Sequence, residues 1–309
     1  MSTPQSGPEP KITISFDAYP PAQMAERVEG VGVTKVQLNL WNSLMLAILA
    51  GAFIALGAEF STLTITGINP GFGLQKLAGG VTFCLGLILV VVAGAELFTG
   101  NNLIVMAWAS GDIGLGKLLG SWALVYVGNL IGSLATVGLM FLTEQWKFAN
   151  FGVGATALTI ANAKVNLAFM PALARGIMCN ALVCLAVWLC FSARSVTDKI
   201  LAILFPITAF VASGFEHSIA NMYFIPMGMA LSAQPDVVAA AGLTAADLAR
   251  LNWGGFVGNL VPVTIGNIIG GAGMVAFVYW FVYLRERAWA TRREARKLQE
   301  ASGGGAGSQ

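Results

Sequence analysis

The chain has 309 residues, of which 56% are hydrophobic and only 10% charged, with a mean hydropathy of +0.74; soluble domains carry about 25% charged residues. That balance places it in a membrane, and a formal charge of +2 with most charges near the two ends leaves no basic stripe for nucleic acid. The four cysteines (Cys84, Cys179, Cys184, Cys190) lie in apolar segments without a CxxC pair, and His217 is the one histidine, so no haem, zinc or iron–sulfur site and no cofactor is expected.

Residues 1–37 begin polar and proline-containing, without the charged-then-apolar start of a signal peptide, and are expected to stay on the side of synthesis. Within them, 21–36 reads as an amphipathic helix with Met24, Val28, Val31 or Val33, and Val36 near one face, lying on the membrane or packing under the bundle. Six apolar stretches follow, at 40–60, 77–109, 118–142, 173–191, 200–230 and 256–284, each near or above the ~20 residues that cross a bilayer. From 288 the chain turns basic and then Gly/Ser-rich, a composition that cannot bury a core. The predicted organisation is therefore a 1–37 tail, a 38–287 six-span membrane domain and a 288–309 tail.

Six crossings put both termini on one side. That side carries Lys11, Arg27, Lys35, Lys117, Arg194, Lys199, Arg285, Arg287, Arg292, Arg293, Arg296 and Lys297, against Lys76, Lys147, Lys164 and Arg250 on the other. The excess predicts cytoplasmic termini in an inner (cytoplasmic) membrane, with Arg175 belonging to neither set.

The second and fifth stretches are interrupted by polar residues. Gly94, Glu96 and Asn101 recur 120 residues later as Gly214, Glu216 and Asn221, and the pattern Gly-Asn-x-Ile-Gly occurs at 128–132 and again at 266–270. The chain therefore reads as an internal duplication, about 38–143 and 165–287. An odd number of spans per repeat makes the two halves inverted, each with one broken helix. Broken backbone in hydrocarbon is tolerated only where it lines a cavity or is packed in protein. Its half-helix N-termini suit a small anion. Thr99 and Ser218 add hydroxyls there, and His217 adds a side chain that titrates near neutral pH.

Each of these residues also has a plainer reading. Glu96 and Glu216 could accept hydrogen bonds from the broken helix ends, and Asn180, Asn259 and Asn267 could join helices. Phe83, Leu87, Phe98, Val183 and Phe210 could be ordinary packing. Lys164 could anchor a surface or focus anions into a vestibule.

The segments GAELFTGN at 94–101, RGIMCNALVCLAVW at 175–188, SGFEHSIANMYFIPMG at 213–228 and NLVPVTIGNIIGG at 259–271, with FDAYPPAQMAERVEGVG at 16–32, resemble the formate/nitrite transporter family, and within it the formate channels. The resemblance implies an all-α, aquaporin-like protomer in a homopentamer, each protomer with its own pore. It implies a central site of Thr99 and His217, with Asn180, Asn267 and Glu216 nearby and Lys164 in a vestibule. Phe83, Leu87, Phe98, Val183 and Phe210 would form the constrictions. Gly100, Asn101 and Asn102 after Thr99, and Arg175, depart from the family pattern.

The expected function is passage of formate or a similar small monovalent anion, nitrite or hydrosulfide being the alternatives, linked to a proton through His217. A water channel of the aquaporin type would need Asn-Pro-Ala motifs, and Asn69-Pro70 is followed by Gly71. An enzyme would need a nucleophile or metal set that this chain does not offer, and a non-transporting anchor would not need polar breaks at mid-membrane.

Overall fold

The computed structural model describes residues 17–291, 293 and 294; the predicted 1–16 segment and the Gly/Ser-rich end lie outside the described residues. Among the described residues the chain is helical throughout, without strands. The helices are α1 (Pro21–Gln37), α2 (Leu40–Ile65), α3 (Phe72–Ala93), α4 (Val105–Ser110), α5 (Leu115–Leu142), α6 (Gly152–Val165), α7 (Phe169–Ser192), α8 (Val196–Ala212), α9 (Ser218–Leu231), α10 (Pro235–Ala241), α11 (Trp253–Ile268) and α12 (Val278–Tyr283). A short 3₁₀ turn, Gly100–Ile104, leads into α4, and a π-helical stretch, Ile269–Phe277, joins α11 to α12.

Five helical runs are long and apolar enough to span a membrane: α2, α3, α5, α7 and the continuous Trp253–Tyr283 run. The stretch at 200–230, expected to be broken, is divided into α8, of 17 residues, and α9, of 14, each by itself short of the ~20 residues a crossing needs. The second stretch differs. It starts earlier than the hydropathy suggests, at Phe72, where Gln75 Nε2 ties the helix start to the Ile65 and Ile68 carbonyls. A full-length α3 therefore precedes its break.

The helix starts are set locally. Asn39 accepts from the Asn42 N–H, Ser195 and Asp198 form a reciprocal capping box, and Asn252 accepts from the Gly255 N–H. Both interruptions begin with a glycine at positive φ, Gly94 at +83° and Gly214 at +69°, a conformation that a side chain disfavours and that ends the helix.

The amphipathic N-terminal segment is a helix as expected, and it packs on protein: Met24, Ala25, Val28 and Gly32 are buried. A rung of contacts fixes it. The Tyr19 N–H donates to the Ser192 carbonyl, and Arg27 and Arg194 lie 3.9 and 3.6 Å from the centre of the Tyr19 ring. At the other end of the chain, residues 285–291 continue as helix, and Arg287 pairs with Glu26 and Glu29 of α1. Helix α6, unpredicted from hydropathy, occupies the connection between α5 and α7.

The two long helix pairs meet at glycines placed alike in each half. A Cβ on Gly132 of α5 would stand 1.9 Å from the Ile48 carbonyl oxygen, and one on Gly270 would stand 2.1 Å from that of Ile177. Such approach lets backbones touch where no hydrophobic force draws helices together. Gly132→Ala is expected to destabilise the fold by about 1–3 kcal/mol, because backbone rather than a flexible side chain must yield. Thermal unfolding of the purified protein in detergent reads this as a lowered midpoint.

Candidate functional site

The site grows from the need to satisfy backbone freed at the two breaks. At the first, Asn129 of α5 accepts the Phe98 N–H at 2.9 Å through Oδ1, while its Nδ2 donates to the Ala47 and Glu96 carbonyls at 2.7 and 2.9 Å. At the second, Asn267 accepts the Ser218 N–H at 2.9 Å and donates to the Gly176 and Glu216 carbonyls at 2.8 and 3.0 Å. One buried amide thus staples each broken strand of backbone to a neighbouring helix, using both of its donors and one acceptor direction.

The glutamates follow the same plan. Glu96 pairs with Lys35 at 2.9 Å through Oε1 and accepts from Asn101 at 2.7 Å through Oε2. Glu216 pairs with Lys164 at 3.0 Å and accepts from Asn221 at 2.6 Å. The Glu96 N–H reaches the Leu46 carbonyl, and the Glu216 N–H reaches that of Arg175. The correspondences keep constant offsets: 129 residues from 35 to 164, 46 to 175 and 47 to 176, and 120 from 96 to 216 and 101 to 221. Helix α1, carrying Lys35, is therefore the counterpart of α6, carrying Lys164.

Between the two breaks, the Thr99 hydroxyl lies 3.0 Å from His217 Nε2. The Ala220 N–H donates to His217 Nδ1 at 3.1 Å, so the histidine is itself the cap of α9. A ring nitrogen that accepts a backbone N–H carries no hydrogen. The neutral ring thus holds its hydrogen on Nε2, aimed at Thr99. Asn180 Nδ2 donates to the Thr99 and Asn267 carbonyls at 3.2 and 2.7 Å, and Cys184 Sγ also lies against the Thr99 carbonyl, at 3.3 Å. Thr99, Asn180 and Asn267 are fully buried and His217 nearly so. Ser218, beside His217, buries a hydroxyl with no hydrogen-bond partner.

Apolar rings flank this centre. Phe210 stacks on His217 at 5.9 Å, and Phe83 meets Phe210 edge-on at 5.5 Å. Val183 is buried on α7, three residues on from Asn180. Phe98, next to Thr99, packs edge-on against Trp122 and Tyr126 of α5. On the α1 side a cavity of about 370 Å³ is lined by Leu87, Val90 and Leu97, with Arg27, Lys35 and Lys199 among its basic residues.

The structure thus gathers Thr99, His217, Asn180 and Asn267 into one hydrogen-bonded cluster, and joins Glu216 to Lys164. Lys164 is turned inward rather than serving as an exposed surface anchor, and its ammonium also lies 5.2 Å from the Phe224 ring centre. Arg175 is exposed and contributes its backbone. Sequence reasoning missed Lys35, counted only as a topology charge, and the individual role of Asn129. The second was recoverable from the repeated Gly-Asn-x-Ile-Gly pattern, in which Asn129 stands where Asn267 does. Among the described residues no cluster of His, Cys, Asp and Glu could hold a metal ion.

A bundle of apolar helices with two stapled polar breaks meeting at a buried hydroxyl–imidazole pair has the architecture of a membrane channel. The family profile described as formate/nitrite transporter matches residues 22–281, and the chain belongs to that family. It is 47% identical over 276 residues to the formate channel FocA of Escherichia coli K12, covering 88% of this chain and 96% of that one. It is 39% identical to the formate channel FocA of Haemophilus influenzae, covering 84% and 93%. The solved structure described as a pentameric formate channel with formate bound superposes with a TM-score of 0.74 at 45% identity, covering 79% of this chain and 98% of that one.

Asn267→Leu removes three hydrogen bonds and strands a buried N–H and two carbonyls, each costing ~1–3 kcal/mol. It should sharply reduce the yield of folded protein and its thermal midpoint. Asn166→Leu, which loses only exposed contacts to Asn162, should stay within about 0.5 kcal/mol of wild type.

Proposed function

We propose that this protein is a formate channel of the cytoplasmic membrane, passing formate with a proton through the Thr99–His217 centre. The observation that carries the reading is the buried hydroxyl–imidazole contact where the two broken helices meet, in a chain 47% identical to a protein named as a formate channel. The proposed protomer has six spans as two inverted repeats of three in the aquaporin manner, with 1–37 and 288–309 as cytoplasmic tails around a 38–287 channel domain. Five such protomers would assemble, each with its own pore.

The physical problem is desolvation. A bare carboxylate entering dry constrictions of Phe83, Leu87, Phe98, Val183 and Phe210 loses its water without a fixed counter-charge, at a cost of several kcal/mol, whereas the neutral acid does not. Lys35 and Lys164 stand as matched basic residues toward the two ends of the path and favour the anion outside the rings. In the centre Thr99 can offer its hydroxyl hydrogen to a substrate oxygen while it accepts the Nε2–H of His217. For His217 to give up a proton it must first hold two, and the second sits on Nδ1, where it displaces the Ala220 N–H. The charged ring is therefore transient: it takes its extra proton from water arriving with formate, and passing the Nε2 proton through Thr99 to formate yields formic acid for the dry step. The ring, left with its hydrogen on Nδ1, then takes a proton from water at Nε2 and releases the one on Nδ1, which restores the Ala220 cap.

A second reading draws on the same cap. If Nδ1 never releases the Ala220 N–H, His217 is a fixed neutral donor and the anion passes on hydrogen bonds alone. Nitrite and hydrosulfide, also anions of weak acids, are the alternative substrates. His217→Asn separates the readings, because asparagine is a good helix cap and cannot relay a proton. In proteoliposomes offered formate at two pH values, wild type should conduct faster at the lower pH and the variant should lose that response. Unchanged rate and unchanged pH response would select the fixed-donor reading, and faster nitrite or hydrosulfide flux would change the substrate.

A further inference from the structure

Away from the path, the last helix presents Phe277, Phe281, Arg285 and Trp289 at successive spacings of four residues, which places them along one face. With Trp108 and Trp280 they line a groove of about 460 Å³ on the side of the molecule that carries α1. Phe277, Phe281 and Trp289 are close to half exposed. Trp280 closes the inner wall by donating from Nε1 to Ser110 Oγ at 3.0 Å, and Ser110 in turn bonds Glu29.

The two arginines of this helix are treated differently. Arg287 faces α1 and has Glu26 and Glu29 for partners. Arg285 faces the groove: its guanidinium carbon lies 4.0 Å from the Phe281 ring centre and 5.1 Å from that of Trp289. Its Nε is buried without a hydrogen-bond partner, and among the described residues no carboxylate lies in ion-pair range of it. A guanidinium that merely snorkelled would put its donors in water. Here one donor is held out of water among aromatic rings, a position whose electrostatic cost an anion would offset.

We propose that this groove is a binding site for an anionic phospholipid, with an acyl chain along Phe277 and Phe281 and the phosphate on Arg285. Charge and position both argue for that occupant. The apolar run long enough to cross a membrane ends at Tyr283, two residues before Arg285, so the proposal sets the arginine at headgroup level and Phe277 and Phe281 at the level of the chains. A planar guanidinium matches phosphate oxygens in two directions. The aromatic faces hold the guanidinium in place before the lipid arrives.

The test uses the full-length protein in detergent, titrated with phosphatidylglycerol or phosphatidylcholine. Thermal stabilisation reports binding, and native mass spectrometry reports retained lipid and oligomeric state. Wild type should prefer phosphatidylglycerol. Arg285→Gln should weaken phosphatidylglycerol about fivefold, the equivalent of one basic residue at a headgroup, and leave phosphatidylcholine unchanged. Phe281→Ala should weaken both lipids alike, and Arg285→Lys should keep the headgroup preference. Wild type indifferent to headgroup, or Arg285→Gln with undiminished preference, overturns the proposal. Loss of the assembled oligomer in Arg285→Gln also overturns it, by making the groove a contact between copies.

Discussion

Backbone N–H and C=O groups released by a helix break cannot be left unpaired in hydrocarbon, and that constraint organises this molecule. Asn129 and Asn267 answer it in the same way, each accepting one N–H and donating to two carbonyls. Once both breaks are stapled, the chain can present Thr99 from one and His217 from the other at 3.0 Å. The glycines at 132 and 270, which let α5 and the Ile269–Phe277 stretch close on α2 and α7, bring the stapling amides within reach.

Charge is handled with the same economy. Glu96 and Glu216 each have one oxygen on a lysine and the other on an asparagine five residues later. Removing one partner of such a pair strands the other in a poorly solvated place, so these lysines and glutamates hold the breaks in shape. Lys35 reaches its glutamate from α1, a helix outside the predicted spans. The position of α1 thereby enters the geometry of the path, and its own position depends on the Tyr19 clamp and on Glu29 with Arg287.

Much of this was legible in the residues. The apolar stretches placed the long helices, and polar runs at 94–102 and 213–221, carrying Glu and Asn in a repeated pattern with His217, marked the breaks. What escaped was whatever depends on a partner distant in sequence. Lys35 looks like any cytoplasmic charge until α1 folds under the bundle, and α6, with the composition GVGATALTIANAKV, lacks the length and apolarity of a span. The hydrogen on His217 Nε2 likewise follows from the Ala220 cap, a fact of geometry that residue order does not carry.

The central claim is that formate crosses the dry rings as a neutral acid. Its most direct test records formate entry and internal pH together in proteoliposomes held at two membrane potentials, with protein-free liposomes as the baseline. Above that baseline, formate should enter with an equal number of protons, acidify the interior and flow at the same rate at both potentials. Flux that follows the potential and leaves internal pH unchanged would mean that the anion itself passes, and the neutral-acid account would be wrong.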